Sequence, residues 1–399
     1  MQTTPPHIPL PKEVRHILAS LKDAYVVGGC VRDSIMGIIP KDFDITTSAL
    51  PSEIKSTFRR TIDTGIKHGT VTVVLNRTAY EVTTFRIDGK YQDGRRPESV
   101  SFATDIKEDL SRRDFTINAI AYNPNTGLID PFGGVADINK KNIRCVGEPH
   151  QRFSEDALRM MRAIRFCAQL DFDIDPDTYA AISTMAGRLH LISMERIRDE
   201  LTKILTSQNP EALALLKDTG LWPNILRGVS FCGNLPVSCC GNLSASWFKN
   251  CPKEPAMLYA LLSADEHLMR HLKFDNRTIK ETATYTNRLD QHIPNSRYDI
   301  KVILNEIGPR QLNNLLTLKA IVQPQEATHF EAIRDTCDDI IKSNECFSIA
   351  DLAVTGGDLI ASGIPPGEEI GRTLYALLDK VMADPTLNKK EVLVSLCRS

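Results

Sequence analysis

The chain has 399 residues, of which 42% are hydrophobic, 25% charged and 6% aromatic, and its formal net charge is −2. This composition excludes a fibrous or disordered chain and a polybasic coat protein, so any nucleic-acid contact must come from local basic patches. The length suggests two or three domains and is sufficient to bury a proper core without disulfide or metal staples.

The first third of the sequence predicts mixed α/β structure. Apolar and β-branched runs at residues 24–27, 70–75 and 80–85 are typical of strands, with turn residues between them. From about residue 154, apolar side chains recur at helical spacing. The segments with this spacing are 157–170, 196–205, 211–216 and 256–262. We therefore expect an α/β head of about 150 residues and a long helical remainder.

Gly28 and Gly29 follow the first predicted strand and precede an apolar helix that carries Arg32. Glycines at such a turn let the backbone approach a phosphate, and both a helix N-terminus and an arginine favour negative charge. A tight turn that simply requires glycine explains the pattern equally well. The Gly-x-Gly-x-x-Gly spacing of dinucleotide-binding proteins is missing.

Asp42 and Asp44 lie two residues apart on the next predicted strand, so their carboxylates point one way while Phe43 and Ile45 are buried on the other side. A few carboxylates together with phosphate oxygens suit Mg²⁺, and Glu81 on a neighbouring strand is a candidate third acid. An ordinary solvated strand face is the alternative interpretation. A calcium-binding loop is excluded, because threonine occupies the position that requires glycine.

The segment 112–119 places the guanidinium groups of Arg112 and Arg113 beside the carboxylate of Asp114. One interpretation is triphosphate binding by an arginine that is braced within this segment. The alternative is a surface ion pair at the start of a helix, which the segment by itself favours.

The helix after Ser154, its predicted N-cap, carries Asp156, Arg159, Arg162 and Arg165 in steps of three, which form a slanted stripe. Cytosine and adenine each present an amine donor beside a ring-nitrogen acceptor, a pattern that an aspartate and an arginine complement. Guanine and uracil invert this pattern. The stripe therefore suits base reading and phosphate binding, and the alternative is a well-capped helix with a solvated arginine face.

These segments occur in an order that resembles a known family. Gly-Gly-x-Val-Arg-Asp comes first, and Asp-x-Asp, Arg-Arg-Asp-Phe-Thr-x-Asn-Ala and Glu-Asp-x-x-Arg-x-x-Arg-x-x-Arg-Phe follow. Together they resemble the class II tRNA nucleotidyltransferase and poly(A) polymerase family. The motifs cover about residues 24–205, and a looser similarity continues in the C-terminal part.

The resemblance implies an α+β fold, with an N-terminal DNA polymerase β-like nucleotidyltransferase head followed by an all-helical neck, body and tail. We expect the catalytic head at residues 1–148 and a neck with the nucleotide-selecting helix at 149–205. The body is expected at 206–300 and a tRNA-binding tail at 301–399.

The resemblance also implies a reaction and its residues. The family adds nucleotides to RNA 3′ ends without a nucleic-acid template, and the resemblance implies release of pyrophosphate by a two-metal-ion mechanism. Asp42 and Asp44 are the implied Mg²⁺ ligands, with Glu81 as a third catalytic acid. The implied nucleotide-binding residues are Gly29, Arg32, Arg113, Asp156, Arg159, Arg162 and Arg165. Among these, Asp156 and Arg159 are expected to read the base.

Residues 86–97 are similar to a loop that CC-adding relatives lack, which favours addition of C, C and A to tRNA from CTP and ATP. An A-adding enzyme and a poly(A) polymerase are open alternatives, because they share the motifs. A non-catalytic RNA-binding protein and a small-molecule nucleotidyltransferase are weaker alternatives, because the carboxylates, the arginine stripe and a long helical remainder are all present.

The sequence predicts a cytoplasmic protein with no membrane partner. The N-terminus lacks the pattern of a secretion signal, and no apolar run approaches the roughly 20 residues of a membrane helix. Ten cysteines are scattered without a Cys-x-x-Cys pair, so we expect reduced thiols. No sequence feature indicates an oligomeric state.

Overall fold

The computed structural model describes residues 8–88, 100–227 and 245–397. The chain forms two compact units, Met1–Ser230 with His271–Lys273 and Phe231–Arg270 with Phe274–Ser399. The first unit contains a sheet and helices, and the described part of the second is helical, which confirms the α+β fold class. The limits expected at residues 148, 205 and 300 stay predictions.

All the described strands lie in the first unit. The strands are β1 Tyr25–Val27, β2 Asp44–Thr47, β3 Thr61–Gly65, β4 Thr70–Leu75, β5 Thr78–Thr84, β6 Arg86–Asp88, β7 Val100–Phe102, β8 Ala121–Asn123, β9 Gly127–Ile129, β10 Asn142–Ile143 and β11 Asp173–Ile174. The three runs predicted as strands correspond to β1, β4 and β5; the bounds of β4 are as predicted, and ends of β1 and β5 are shifted by one or two residues.

Helices occupy most of the remaining described chain. Those of the first unit are α1 Lys12–Ser20, α2 Gly29–Ile35, α3 Pro51–Thr57, α4 Ile106–Ser111, α5 Gly134–Asn139, α6 Pro149–Glu155, α7 Leu158–Leu170, α8 Pro176–Met185, α9 Met194–Leu205, α10 Ala214–Asp218 and α11 Leu221–Ile225. Next in the chain come α12 Ala245–Asn250, α13 Pro255–Leu261, α14 Glu266–His271, α15 Asn276–Arg288, α16 Arg297–Val322, α17 Ala327–Lys342, α18 Gly356–Ala361, α19 Glu368–Ala383 and α20 Lys390–Leu396. The 3₁₀ helices are Ile66–His68, Thr116–Asn118, Ala186–Leu191, Pro210–Leu213, Pro324–Glu326, Ile349–Asp351 and Pro385–Leu387. All four predicted helical segments are helical.

Seven strands form one sheet in the order β3-β4-β5-β2-β1-β8-β9. Strands β2 and β5 are parallel, and the other neighbouring pairs are antiparallel. Val26, Ile45 and Val82 are paired across neighbouring strands and fully or almost fully buried on one face. The opposite face is polar at β4 and β5, where Thr70 Oγ1 and Thr83 Oγ1 lie 3.0 Å apart, whereas Val27 of β1 is buried on that face. This polar face also carries Asp44 and Glu81, which precede Ile45 and Val82 by one residue.

A small core joins the sheet to the segment that carries the arginine motif. Its buried members are Val27, Leu110, Ala119, Ala121 and Val146. Because Leu110 is on α4, this packing holds residues 112–118 against the ends of β1 and β8. The position of the predicted triphosphate arginine therefore follows from hydrophobic burial.

The second unit has its own core. Residues of its C-terminal helices and of the segments between them form it, namely Cys346, Leu352, Val354, Leu359, Leu377, Leu378, Val381, Met382 and Leu393. Helix α16 is broken at Gly308, whose φ of 76° is left-handed, and Pro309 follows within the helix. In the described residues, no helix is long and apolar enough to cross a membrane. The seven described cysteines carry free thiols.

Candidate active site

The register of the sheet brings Asp44 next to the glycine turn. Asp44, the first residue of β2, pairs with Val27, the last residue of β1, and Gly28 follows directly. Gly28 has a left-handed φ of 77° and precedes α2, which begins at Gly29. The Gly28 N–H donates to the Ile120 carbonyl at 3.2 Å, which fixes the turn against the segment leading into β8.

Asp44 is accessible to solvent, yet the surrounding protein opposes its negative charge. Partial desolvation raises the pKa of Asp44, the Arg113 charge counteracts this rise, and the Asp42 charge adds to it. Two accessible carboxylates that repel each other form a donor set that fits a divalent cation. Asp42 lies just before β2 rather than on it, and Phe43 is half-buried, so the predicted strand was too long at its start.

Glu81 lies on β5, the parallel neighbour of β2, as the sequence predicted. Because Ile45 pairs with Val82, Asp44 and Glu81 are at the same level of the two strands. Among the described residues, no three His, Cys, Asp or Glu side chains form a group that could hold a metal ion. Glu81 therefore stays a predicted third acid.

Arg113 approaches the glycine turn closely. A Cβ atom at Gly28 would lie 2.9 Å from Arg113 Nη1, so glycine leaves room for the guanidinium group. Arg113 Nη2 lies 3.4 Å from Asp109 Oδ2, and Arg113 Nε is buried with no hydrogen-bond partner among the described residues. A guanidinium group with an unsatisfied donor beside Asp44 suits an anionic ligand such as a phosphate.

Arg32 is almost fully buried and held on three sides. Its Nε and Nη2 donate to Asp33 Oδ1 at 2.9 and 2.7 Å, and its Nη1 donates to Asn118 Oδ1 at 2.7 Å. The guanidinium carbon lies 5.3 Å from the ring centroid of Phe166. A Cβ atom at Gly29 would be 3.6 Å from Arg32 Nη2, an ordinary contact, so Arg32 does not require glycine there.

The prediction that Asp114 braces a neighbouring arginine is wrong. Asp114 Oδ2 accepts from Nε of Arg162, at 2.8 Å, and from Nη2 of the same residue. Burial by itself would raise the pKa of Asp114, but the ion pair with Arg162 lowers it well below its usual value. The fully buried Asp109 braces Arg112 and Arg113 instead, because these follow it by three and four residues.

The predicted base-reading residues are each held by another charged side chain. Arg159 Nη1 donates to Glu155 Oε2 at 2.6 Å, and Arg159 Nη2 donates to the Arg112 carbonyl at 2.9 Å. Asp156 Oδ2 accepts from Arg196 Nη2 at 2.7 Å. Both side chains are therefore fixed in orientation, as reading of a hydrogen-bond pattern requires.

The sequence predicted Ser154 as the N-cap of this helix, and this prediction is wrong. It lies inside α6, and α7 begins at Leu158, whose N–H donates to Asp156 Oδ1 at 3.0 Å. The prediction failed because a break between two helices at residues 156–157 leaves no polarity change in the sequence. Asp156 consequently lies at a helix junction.

The arginine stripe is not a solvated face. Arg159 and Arg165 have side chains only 11% and 12% exposed, and Arg165 Nε lies 2.6 Å from Glu200 Oε2. Arg162 and Arg165 place their guanidinium carbons 5.5 and 4.1 Å from the centroid of the Phe166 ring, which Arg32 also contacts. The alternative interpretation as a solvated helix face is therefore wrong.

Sequence reasoning did not predict which side chains hold these groups, although Glu155 and Phe166 lie within the last of the quoted motifs. The holding side chains are Asp109, Glu155, Phe166, Arg196 and Glu200. The spacing of four residues in the first two pairs, Asp109 with Arg113 and Glu155 with Arg159, is a signal that could have found them. Arg196 lies 40 residues from Asp156 and belongs to Met194-Glu195-Arg196-Ile197, a segment that also resembles the family. Glu200 lies 35 residues from Arg165, and no sequence pattern marks it.

Among the described cysteines, Cys30 is the one whose pKa is affected by the charge of Asp44. Burial, followed by the Asp44 charge, raises the pKa of Cys30 to about 11. The thiol therefore stays protonated at neutral pH and supplies no nucleophile. An exposed carboxylate pair, a nearby arginine and the fixed side chains of Asp156 and Arg159 instead suit transfer to a hydroxyl of a bound substrate.

Similarity to known proteins decides the family. The "Poly A polymerase head domain" model matches residues 24–144, and the "tRNA nucleotidyltransferase domain 2" model matches residues 256–397. The CCA-adding enzyme of Levilactobacillus brevis is 38% identical over 94% of this chain and 93% of its own length. The chain belongs to the CCA-adding enzyme family. The CCA-adding enzyme of Geobacillus kaustophilus is 40% identical over 92% of this chain and 91% of its own length.

Solved structures of the CCA-adding enzyme family share the fold. The Bacillus stearothermophilus CCA-adding enzyme in complex with CTP has a TM-score of 0.83 and 35% identity, covering 97% of this chain and 96% of its own. The Thermotoga maritima CCA-adding enzyme complexed with tRNA has a TM-score of 0.66 at 22% identity, covering 98% and 97%. A model of an RNA- and SrmB-binding site of polymerase A also matches residues 171–232.

Proposed function

We propose that this protein adds C, C and A to the 3′ end of tRNA without a nucleic-acid template, using CTP and ATP and releasing pyrophosphate. One observation carries this proposal: the accessible carboxylates of Asp42 and Asp44 lie near Arg113, whose guanidinium group lies against the turn at Gly28. The CTP complex of a relative that is 35% identical supports the choice of nucleotide. The sequence segment that favours CCA over CC addition, residues 86–97, lies mostly outside the described residues.

Asp42 and Asp44 are the proposed Mg²⁺ ligands, with Glu81 as a further acid. The exposed positions of the two aspartates and the repulsion between them support this assignment. When bound, Mg²⁺ supplies the Lewis acidity that favours attack by the tRNA 3′-hydroxyl on the α-phosphate and departure of pyrophosphate by a two-metal mechanism. The protein itself holds the carboxylates ready on the polar face of its sheet.

The triphosphate is proposed to bind along Gly29, Arg32 and Arg113. The Arg113 charge acts on Asp44, and the turn at Gly28 allows the guanidinium group to approach the backbone. The guanidinium groups of Arg32 and Arg113 would neutralise negative charge that develops on the leaving pyrophosphate. Arg162 and Arg165 support the site through their pairs with Asp114 and Glu200. Their role is therefore to order the nucleotide-binding surface.

Asp156 and Arg159 are the proposed readers of the incoming base. The carboxylate accepts from the exocyclic amine of cytosine or adenine, and the guanidinium group donates to the ring nitrogen. Glu155 and Arg196 hold the two readers in place. UTP and GTP present the opposite pattern and would place an acceptor against the Asp156 carboxylate and a donor against the Arg159 guanidinium group.

Single-turnover extension of three tRNAs, ending before CCA, after C and after CC, tests the proposal. Each receives Mg²⁺ with CTP, ATP, both, or UTP and GTP. We expect stepwise addition of C, C and A that then stops. Addition of A only to the tRNA that ends in CC would instead identify an A-adding enzyme. Long A tails would identify a poly(A) polymerase, and no addition by folded protein would contradict the proposal.

A further inference from the structure

Asp109, within α4, is a fully buried carboxylate that lies outside the quoted sequence motifs. Its Oδ1 accepts from Arg112 Nε at 3.0 Å and from Arg112 Nη2 at 2.6 Å. Its Oδ2 lies 3.4 Å from Arg113 Nη2 and 3.4 Å from Thr46 Oγ1. One carboxylate thus joins two adjacent arginines to strand β2.

The surroundings of Asp109 keep it charged. Burial alone would raise its pKa, but the charges of Arg112 and Arg113 and the hydrogen bonds it accepts lower the pKa below its usual value. An isolated buried carboxylate is costly, whereas one paired with two guanidinium groups is a stable anchor for both. The anchor is rigid because α4 packs into the head core through Leu110.

Each partner of Asp109 leads to a different part of the proposed site. Arg113 lies at the glycine turn and interacts with Asp44. Thr46 is two residues after Asp44 on the same strand face. The Arg112 carbonyl accepts from Arg159 Nη2, the proposed base reader. Asp109 therefore contacts β2 and Arg113 directly, and it is joined to Arg159 through the backbone of Arg112.

We propose that Asp109 is a positioning residue for the incoming nucleotide, which holds Arg113 in place for the triphosphate. The inference rests on the proposed function, in which Arg113 contacts that triphosphate. Without the anchor, Arg113 would have to be ordered during nucleotide binding, at a cost in side-chain entropy. This cost raises KM for the nucleotide, whereas kcat changes less, because the bound complex still contains every catalytic group.

Asp109→Asn is the test variant, because it keeps the size of the side chain and removes the charge. Asp105→Asn is the matched control, since Asp105 caps the same helix from an exposed position and accepts from the Lys107 N–H at 2.9 Å. With saturating tRNA, we expect Asp109→Asn to raise KM for both CTP and ATP about tenfold and to lower kcat less than about threefold. KM for tRNA and both constants of Asp105→Asn should match the wild type.

A double-mutant cycle shows whether Asp109 acts through Arg113. Arg113→Ala should raise the nucleotide KM, and adding Asp109→Asn to it should raise KM no further. An unchanged KM in Asp109→Asn, or the same tenfold increase in both backgrounds, would overturn the inference. If Arg113→Ala leaves KM unchanged, the triphosphate role of Arg113 fails, and the positioning role of Asp109 fails with it.

Asp109→Asn leaves Arg112 without its buried partner and could prevent folding. The pair Arg112→Gln and Arg112→Gln/Asp109→Asn avoids this problem, because neither variant leaves an unpaired charge at the Arg112 position. Thermal unfolding identifies the folded variants. We expect the double variant to have a nucleotide KM about tenfold above that of Arg112→Gln, and equal values would overturn the inference.

Discussion

The two units of the molecule bury charged side chains for different purposes. In the second unit, Lys319 Nζ donates to the Leu289 carbonyl at 2.7 Å and also to the Gln291 carbonyl, beyond the end of α15. Lys301 Nζ donates to the Met382 carbonyl at 3.2 Å and lies 2.6 Å from Glu345 Oε2. These lysines tie chain segments together by satisfying carbonyl groups.

In the first unit, buried charges surround accessible ones. Asp109, Asp114 and Glu200 each hold an arginine of the nucleotide motifs, while Asp44 remains exposed with its pKa raised. A charged group whose surroundings oppose its ionisation reduces stability at neutral pH, which is typical of a functional site. The buried lysines of the second unit therefore stabilise the fold, whereas the ionised Asp44 of the first unit reduces its stability at neutral pH.

The largest effect is expected for Asp44→Asn. Folding raises the pKa of Asp44 above its unfolded value of 3.8. The residue therefore stabilises the fold at pH values below 3.8, and this stabilisation is lost as pH rises through the folded-state pKa. At neutral pH the substitution should therefore leave the free energy of unfolding equal or higher. Nucleotide addition should fall about a thousandfold, which is about 4 kcal/mol of transition-state stabilisation.

Single-turnover rates and thermal unfolding check both parts of this prediction. Asp63→Asn is the matched control, since Asp63 is exposed on β3 and pairs with Lys55 at 2.9 Å. It should leave the rate unchanged. Retained turnover in Asp44→Asn would remove the metal-site assignment, and a large loss of stability would contradict the contrast between the two units.

In the second unit, Glu345→Gln should cost about 3 kcal/mol of unfolding free energy at pH 7, because it leaves the buried Lys301 without its carboxylate partner. A hydrogen bond from Arg297 is the main cause that lowers the pKa of Glu345 from 4.5 to about 2. The difference in unfolding free energy between the wild type and Glu345→Gln is therefore complete above pH 4.5 and is lost as pH falls towards 2.

Urea unfolding at several pH values measures this difference. A Trp222→Phe background leaves Trp247, in the second unit, as the reporter. Glu368→Gln is the control, because the Glu368–Arg372 pair is 89% and 82% exposed and should contribute less than about 0.5 kcal/mol. A pH-independent difference, or one no larger than the control, would refute the structural role of Glu345.

Arg159→Lys should weaken discrimination against UTP and GTP by about 1–3 kcal/mol, because a lysine lacks the planar donors that a base edge requires. The charge that pairs with Glu155 is kept, so folding should be preserved. Competition between CTP and UTP in single-nucleotide addition measures the ratio, with the exposed Arg188→Lys as control. Unchanged selectivity at matched turnover would mean that the base is read elsewhere.

The smallest expected effect is a difference in stability between alanine substitutions at Gly28 and Gly29. Gly28→Ala should cost about 1–2 kcal/mol of stability, because Gly28 has a left-handed φ and a Cβ atom would displace Arg113. Gly29→Ala should be tolerated by the fold, since its nearest contact would be 3.6 Å away. A higher nucleotide KM in folded Gly29→Ala would support a phosphate contact there. Equal stability losses in the two variants would contradict this prediction.

The sequence was sufficient for the elements that local pattern specifies. Apolar and β-branched runs located β4 and β5, because such side chains favour strands, and helical spacing located α7 and α9, because it reflects one buried face. The order of the motifs identified the family, since several short segments in a fixed order are far more specific than any one of them. The glycine turn was also evident, because a left-handed backbone at Gly28 demands that residue.

Only the tertiary structure decided which charges pair. Asp114 binds Arg162, 48 residues away, rather than the adjacent arginine, and Asp156 binds Arg196 from another helix. These partners are selected by the packing of separate elements, which places one of several chemically equivalent carboxylates at hydrogen-bond distance. The sequence by itself therefore determined the fold class and the family, and it predicted which groups carry the chemistry. Their pairing depended on tertiary packing, because ion-pair energies fall with distances that only the folded chain sets.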